Sequence, residues 1–376
     1  MGNSKRALGR RWRWAIGATV AVTLGGGSQL PASAAPVTAV WTPTPVVLPA
    51  DEAPHPQSSM EWWYFTGHLS GRDWLGTTHK YGYEVTFIRM DGLAAEPALG
   101  AWNAHFAITD LTRGTFTQTM TNFTFQPSLV PWGGGFDNWV NGWHMTGKNG
   151  NNTVSAAFTD LSYSLFLNLK QTKPAAKHGG ADGIIPYGPF GTSAYYSQTD
   201  LKASGTIFDH GMPITVTGTG WLDHQWGDFN AGPGGWEWFA VQLDNGTQYM
   251  LYFVQDPTGV VETIGTKINP DGSTVDLDPS QVTMTELGTW TSPKTGKVWP
   301  QNWRVTVPGG SMNVTVKLPD QELTRPFMPT KPAYWEGATW VNGTINGATV
   351  KGQGYTEVTP VSNFPTRGNF GDFTSG

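Results

Sequence analysis

Two signatures of this chain each occur twice, in the same order, so any fold assigned to it must accommodate the repetition. The opener is "WWYFTGHLSG" from Trp62, matched by "WEWFAVQLDN" from Trp236: Trp62 aligns with Trp236, Tyr64 with Trp238, Phe65 with Phe239 and Leu69 with Leu243. A Tyr-rich run follows each, "YGYEVTFIR" from Tyr81 and "YMLYFVQD" from Tyr249. The closer is "VTGTGWLD" from Val216, matched by "VKGQGYTE" from Val350, which is Val-x-Gly-x-Gly-aromatic-x-acid in both places. "GTI" precedes each closer, at Gly205 and at Gly343. Paired signatures in a fixed order indicate duplication of one structural unit. The copies span roughly residues 55–224 and 236–358.

The unit is a β unit. Runs such as "LSYSLFLNLK", "PITVTGTGW" and "NWRVTVP" alternate in polarity between Gly, Pro, Asn and Asp, and no apolar run keeps helical spacing beyond the N-terminus. The 19 Trp, 48 Gly and 27 Pro, with charged residues at only 14%, fit short aromatic strands cut by turns. A unit of this length that returns to its own first strand has the size of an eight-stranded lipocalin-type barrel, and Gly-x-Gly in the closing strand suits a close backbone approach. The expected fold is all-β: two tandem lipocalin-like β-barrel domains related by internal duplication, residues 36–229 and 230–376, with a site at the interdomain cleft.

Residues 1–35 have the parts of an export signal: Arg10, Arg11 and Arg13, the apolar "AIGATVAVTL", and a small-residue cleavage site that puts the cut near Ala34-Ala35. The arginine pair allows the twin-arginine route as well as ordinary secretion. The apolar run is too short to span a bilayer, so an exported chain without stable membrane insertion is expected. Zero cysteines exclude a disulfide framework, a thiolate metal site and a lipidated N-terminal cysteine. With 23 basic against 28 acidic residues there is no electrostatic footprint for nucleic acid.

The densest chemistry is "TGTGWLDHQWGDF", Thr217 to Phe229, which falls at the seam between the copies. A strand there sends Trp221 and Asp223 to one face and Leu222, His224 and Trp226 to the other. His224 is the candidate proton shuttle, Asp223 its orienting group or an acid, and Trp226 an indole face for a developing cation. Glu61, before Trp62 and Trp63, is an alternative acid, and lost hydration would raise its pKa unless Arg89 neutralises it. Trp63, Tyr196, Trp221, Trp238, Tyr252 and Trp335 are candidate walls of a ligand cavity, and Tyr195 could add a hydroxyl. Glu237, Glu336 and Glu357 read as structural acids. "TGTGWLD" recurs as "KGQGYTE", so duplication partly accounts for Asp223, whereas "HQWG" is replaced by "VTPV" and points to His224 and Trp226. There is no nucleophile elbow, His-Glu-x-x-His or Gly-rich phosphate loop, and the eight histidines show no metal-ligand spacing, so neither metal nor cofactor is expected.

"EWWYFTGHL", "YGYEVTFIR", "YYS", "GWLDHQWG", "WFAVQLDNG", "YWEG" and "GQGYTEV" together resemble the carotenoid 1,2-hydratase (CrtC) and AttH-like family of two-domain lipocalin-related proteins, over nearly the whole mature chain. The resemblance implies a ligand site near the domain junction and, for its hydratases, protonation of an alkene followed by capture of the cation by water. It would place Asp223, His224 and Trp226 at that site with Glu61 nearby, and an acid where this chain has Gln225. The expected activity is acid–base addition of water to, or rearrangement of, a lipophilic, polyene- or isoprenoid-like small molecule. The rival readings are a non-catalytic carrier of an apolar ligand and a secreted hydrolase.

Overall fold

Strands dominate, and their burial shows how the sheets are arranged before any topology is traced. The computed structural model describes residues 41–91, 99–324 and 333–361, so the proposed export signal lies outside the described residues. At the periphery, burial alternates as in a sheet with one wet face, in Phe136–Val140 and Trp303–Val307 for example. Gly100–Asp110 is instead buried at every position, and Gly235–Leu243 at all but one. Strands buried on both faces must be covered by another layer, and that layer is the other half of the molecule.

The first half contributes ten main strands: β1 (Met60–Arg72), β2 (Thr78–Met90), β3 (Gly100–Asp110), β4 (Thr115–Met120), β5 (Phe136–Val140), β6 (Trp143–Lys148), β7 (Asn151–Ala157), β8 (Tyr163–Gln171), β9 (Gly191–Asp209) and β10 (Met212–Phe229). They form one curled antiparallel sheet in the order β4-β3-β2-β1-β10-β9-β8-β7-β6-β5. The second half contributes β11 (Gly235–Leu243), β12 (Gln248–Asp256), β13 (Gly259–Ile268), β14 (Thr283–Glu286), β15 (Trp303–Val307), β16 (Gly310–Val316), β17 (Ala333–Ile345) and β18 (Ala348–Thr359). Their order is β13-β12-β11-β18-β17-β16-β15-β14.

In both halves the first strand pairs with the last, and the pairings share a register. Leu69 faces Gly218 as Leu243 faces Gly352, and Tyr64 faces Asp223 as Trp238 faces Glu357. Gly205 and Gly343 likewise face Val216 and Val350. The duplication read from the sequence is therefore a duplication of the pairing itself. One detail differs from expectation: the first-to-last pairing lies in the middle of an open strand order rather than sealing a barrel at its edges. In the Tyr-rich second strands, register matches Tyr249 with Tyr83, because Tyr249 faces Val241 while Tyr83 faces Gly67.

Each sheet wraps its own core. Trp63, Phe65, Phe87, Trp102 and Phe106 fill the first, and Phe239, Phe253, Trp299, Trp303 and Trp335 the second. A third cluster of aromatics, with Tyr64, Trp221, Trp236, Trp238, Tyr252 and Tyr355, lies where the two sheets face each other. The glycines of the closers permit the tight approach of first and last strands. A Cβ on Gly218 would sit 1.9 Å from the His68 carbonyl oxygen, and one on Gly352 2.2 Å from that of Gln242. Both contacts are with backbone that cannot swing aside. Substituting Gly218→Ala or Gly352→Ala is expected to destabilise by about 1–3 kcal/mol through forced strand separation, read as a lower urea midpoint at unchanged m-value.

Candidate active site between the two sheets

Strand alternation divides the "WLDHQWG" segment between two environments, and the division decides its chemistry. Trp221, Asp223 and Gln225 face the second half, whereas Leu222, His224 and Trp226 face the first core and the N-terminal segment that covers its end. The expected pattern of faces is thus the observed one, and it separates Asp223 from His224.

On the His224 side the group at the centre is Glu61. Its carboxylate accepts the backbone N–H of His55 at 3.0 Å on both oxygens, His55 Nδ1–H at 2.9 Å, His224 Nε2–H at 2.9 Å and Arg89 Nε–H at 3.3 Å. Arg89 in turn donates to the carbonyl oxygens of His55 and Ser58 at 2.9 and 2.6 Å. Glu61, His224 and Arg89 are all essentially inaccessible to solvent. Burial pushes the Glu61 pKa up, but the hydrogen bonds from His224 and His55 and the charges they can carry outweigh it and hold it at about 2. The sequence-based expectation of a raised Glu61 pKa is therefore corrected: the aromatic walls are present, but so are the donors. His224 is pushed down to about 4 by burial, in spite of Glu61. It is neutral at physiological pH, donating through Nε2 and accepting weakly from the Tyr196 hydroxyl at 3.3 Å on Nδ1.

His55 behaves oppositely. Burial lowers its pKa, yet bonds to Asp51 and Glu61 raise it overall. Its ring stacks on Trp226 at 3.8 Å between centroids, only 2° from parallel. The ring beside the Trp226 indole is thus His55 of this same chain, whose charged form Asp51 and Glu61 favour. His55 Nδ1, Glu61 and His224 Nε2 lie within 4.8 Å of one another, close enough to share a metal ion. However, Glu61 is already occupied by an amide N–H and by the Arg89 guanidinium, whose charge opposes a cation there. We assign the cluster to hydrogen bonding that fastens residues 51–61 onto β2 and β10.

On the other face, Asp223 lines a cavity of about 160 Å³ between the sheets, a volume of the order that accepts a benzene-sized ring. Trp62, Tyr64, Trp236, Trp238 and Tyr252 form aromatic walls, with Met60, Ile88 and Met90 as aliphatic ones. The Asn230–Gly232 turn between β10 and β11 lies at the rim, with Asn230 exposed. Three acids reach the cavity: Asp223, Glu336 and Glu357. Burial pushes the Asp223 carboxyl up to about 7; donors from Ser197, Trp221 and Tyr195 oppose the shift, and the charge of Glu357 adds to it. Glu336 accepts the Tyr64 hydroxyl and stands directly opposite Glu357 on the neighbouring strand.

Of the proposed wall residues, Trp238 and Tyr252 line this cavity, and Trp221 borders it by donating to Asp223 Oδ1 at 2.6 Å. Trp63, Tyr196 and Trp335 do not: they belong to the first core, the N-terminal cover and the second core respectively. Glu61, His224 and Trp226 also lie away from it. Glu336 and Glu357, read from sequence as structural, are in the cavity. The available signal was the repeat: if Asp223 faces a shared cleft, its duplicate Glu357 must face the same cleft. Among the described residues no helix is long and apolar enough to cross a membrane.

Comparison with known proteins agrees with this architecture. A family model described as AttH-like matches residues 39–360. A kievitone hydratase of Fusarium solani subsp. phaseoli is 25% identical over 206 residues, which is 53% of this chain and 57% of that protein, so the match spans little more than half of the relative. The crystal structure of an AttH protein from Nitrosomonas europaea superposes with a TM-score of 0.72 at 27% identity, covering 86% of this chain and 99% of that one. Kievitone hydratase from Nectria haematococca shares the fold, with a TM-score of 0.66 at 18% identity and coverage of 86% and 97%.

The Glu61 cluster makes a pH prediction. Because the Glu61 pKa is depressed from 4.5 to about 2, its contribution is complete above about pH 4.5 and is lost as pH falls towards 2. The depressed His224 pKa acts in the same direction between about 6.5 and 4, while the raised His55 pKa favours the fold below 6.5 and loses its effect on the alkaline side. Glu61→Gln should cost on the order of 3 kcal/mol at neutral pH and flatten the acid limb of the urea midpoint measured between pH 2 and 5. A two-sheet β architecture, a shared register and a match over 322 residues lead to one conclusion: this chain belongs to the AttH-like family.

Proposed function

We propose that this protein is a hydratase that adds water to an alkene of a lipophilic, polyene- or isoprenoid-like small molecule whose reacting end is held between the two sheets. The observation that carries the reading is a pair of carboxyl groups, Asp223 and Glu357, set in an aromatic cavity where burial and the charge of Glu357 keep Asp223 protonated up to about pH 7. A protonated carboxyl beside a second carboxyl group provides a proton donor and a partner that can take a proton from water in one site. Asp223 O–H breaks as a C–H bond forms at the alkene, leaving a tertiary cation facing the indoles of Trp62, Trp236 and Trp238. Water attacks the cation, and its proton passes to the Glu357 carboxylate. Return of that proton to Asp223 closes the cycle, so the sum is alkene plus water giving alcohol. No cofactor enters this scheme.

The kievitone hydratase match supports the reaction class, and the apolar walls support the lipophilic substrate. The assignment moves the acid from His224, the residue favoured by sequence, to Asp223. A carrier without turnover would use the same walls but would not need the acids. Asp223→Asn should lower kcat for hydration of an acyclic isoprenoid or polyene alkene by about 10²–10⁴-fold, with incorporation of labelled water followed by mass spectrometry. Activity should fall as pH rises through about 7, the value at which Asp223 loses its proton. His224→Phe should lower stability more than turnover. Full turnover in Asp223→Asn and loss of it in His224→Phe would return the acid to His224, and binding without turnover in the parent protein would establish the carrier.

We also propose that the protein is exported and cut near Ala34-Ala35. Mass spectrometry of the secreted protein should give an N-terminus at Ala35 or Pro36, and retention of Met1 would count against export.

A further inference from the structure

Asp223 is reached by a line of buried polar groups that the proposed reaction does not use. Ser197 on β9 faces Asp223 across the strand pair and donates its hydroxyl to Asp223 Oδ1. The Ser197 oxygen meets His178 Nε2 at 2.7 Å, and His178 Nδ1 meets the Thr266 hydroxyl of β13, in the second half, at 2.9 Å. Ser197, His178 and Thr266 have no measurable exposure, and none of them lines the cavity.

The direction of this line is fixed at one end. The Trp221 indole N–H, which can only donate, also ends on Asp223 Oδ1, at 2.6 Å. Oδ1 is therefore an acceptor in both protonation states of the carboxyl. Ser197 then donates to Oδ1 as well, its oxygen accepts His178 Nε2–H, and His178 Nδ1 accepts the Thr266 hydroxyl. This order requires a neutral imidazole, and burial holds the His178 pKa down at about 3.

We propose that His178, Ser197 and Thr266 are positioning residues: a one-way hydrogen-bond chain from the second half that keeps the acidic proton of Asp223 on Oδ2. The inference rests on the assignment of Asp223 as the acid. It gives a reason for the two halves to be in contact at this point, since the last link comes from the half that does not carry Asp223. The titratable groups around the carboxyl are Tyr195 and His178 from the first half, Tyr64 across from it on β1, and Glu336, Tyr252 and Glu357 from the second.

The test uses the full chain and two readouts. Infrared difference spectra follow the protonated carboxyl band of Asp223 against pH without any ligand, with Asp223→Asn as the blank. Removing a donor to Oδ1 disfavours the ionised form, so Ser197→Ala should move the midpoint up by about one pH unit. His178→Phe and Thr266→Val should shift it less, and Ser197→Thr and Thr266→Ser should restore it. In turnover, Ser197→Ala and His178→Phe should lower kcat about tenfold or more at unchanged KM, because neither residue touches the cavity. Folded Ser197→Ala and His178→Phe proteins with the parent's midpoint and kcat would overturn the proposal, as would a rise in KM alone. If Asp223→Asn itself retains activity, the assignment of the acid fails while the infrared midpoints still judge the chain. If Asp223→Asn is inactive and Ser197→Ala titrates like the parent, only the chain fails.

Discussion

The antiparallel pairing of each half's first strand with its last is the constraint on which the rest of the structure depends. It sets Tyr64 against Asp223 and Trp238 against Glu357, and strand alternation then decides what every neighbouring side chain can touch. A slip of one residue in either pairing would exchange the two faces of that strand. Asp223 would move into the first core, and His224 would move into the aromatic layer between the sheets. Glycines at 218 and 352, where any Cβ would meet backbone within 2.2 Å, make each pairing intimate at its far end.

The two faces of β10 show how neighbouring residues acquire opposite electrostatics. Glu61 and Asp223 are both buried carboxyl groups, yet one is held near 2 and the other near 7. Both lose hydration. Glu61 is compensated by an amide, an arginine and two imidazoles, one of them favouring its charged form, and such donors stabilise the anion. Asp223 has neutral donors only, with a second carboxylate nearby, so desolvation prevails. The first arrangement anchors structure. The second leaves a proton available to do chemistry.

Much of this was legible in the sequence, and the failures have a physical pattern. Local periodicity gave the strands and separated Trp221 and Asp223 from His224 and Trp226. The repeat gave the duplication and the return of each unit to its own first strand. What local pattern cannot give is which face of a doubly buried strand meets a cavity and which meets packed core, because both demand aromatics. The sequence favours His224 over Asp223 because the segment that holds His224 has no counterpart in the second copy. Repetition of the acid points, in the sequence, to a framework role, whereas Asp223 and its duplicate Glu357 both line the cavity between the sheets. His55 and His178 were invisible for another reason: they lie in short connecting segments without periodicity, and their partners are far away in sequence.

The closing of the first half also bears on how the chain reaches its native state. The Glu61–His224 bond joins residues 163 apart, and β1 has no alternative partner on that side until β10 exists. Contacts of such long sequence separation make folding slow and late. Until Phe229 has been synthesised, β1 presents one unpaired edge, and the acidic and aromatic groups that flank it have no fixed neighbours. A chain of this design completes the β1–β10 pairing only after its first half has been synthesised, and shortened versions ending before β10 would be left with an open, aggregation-prone strand.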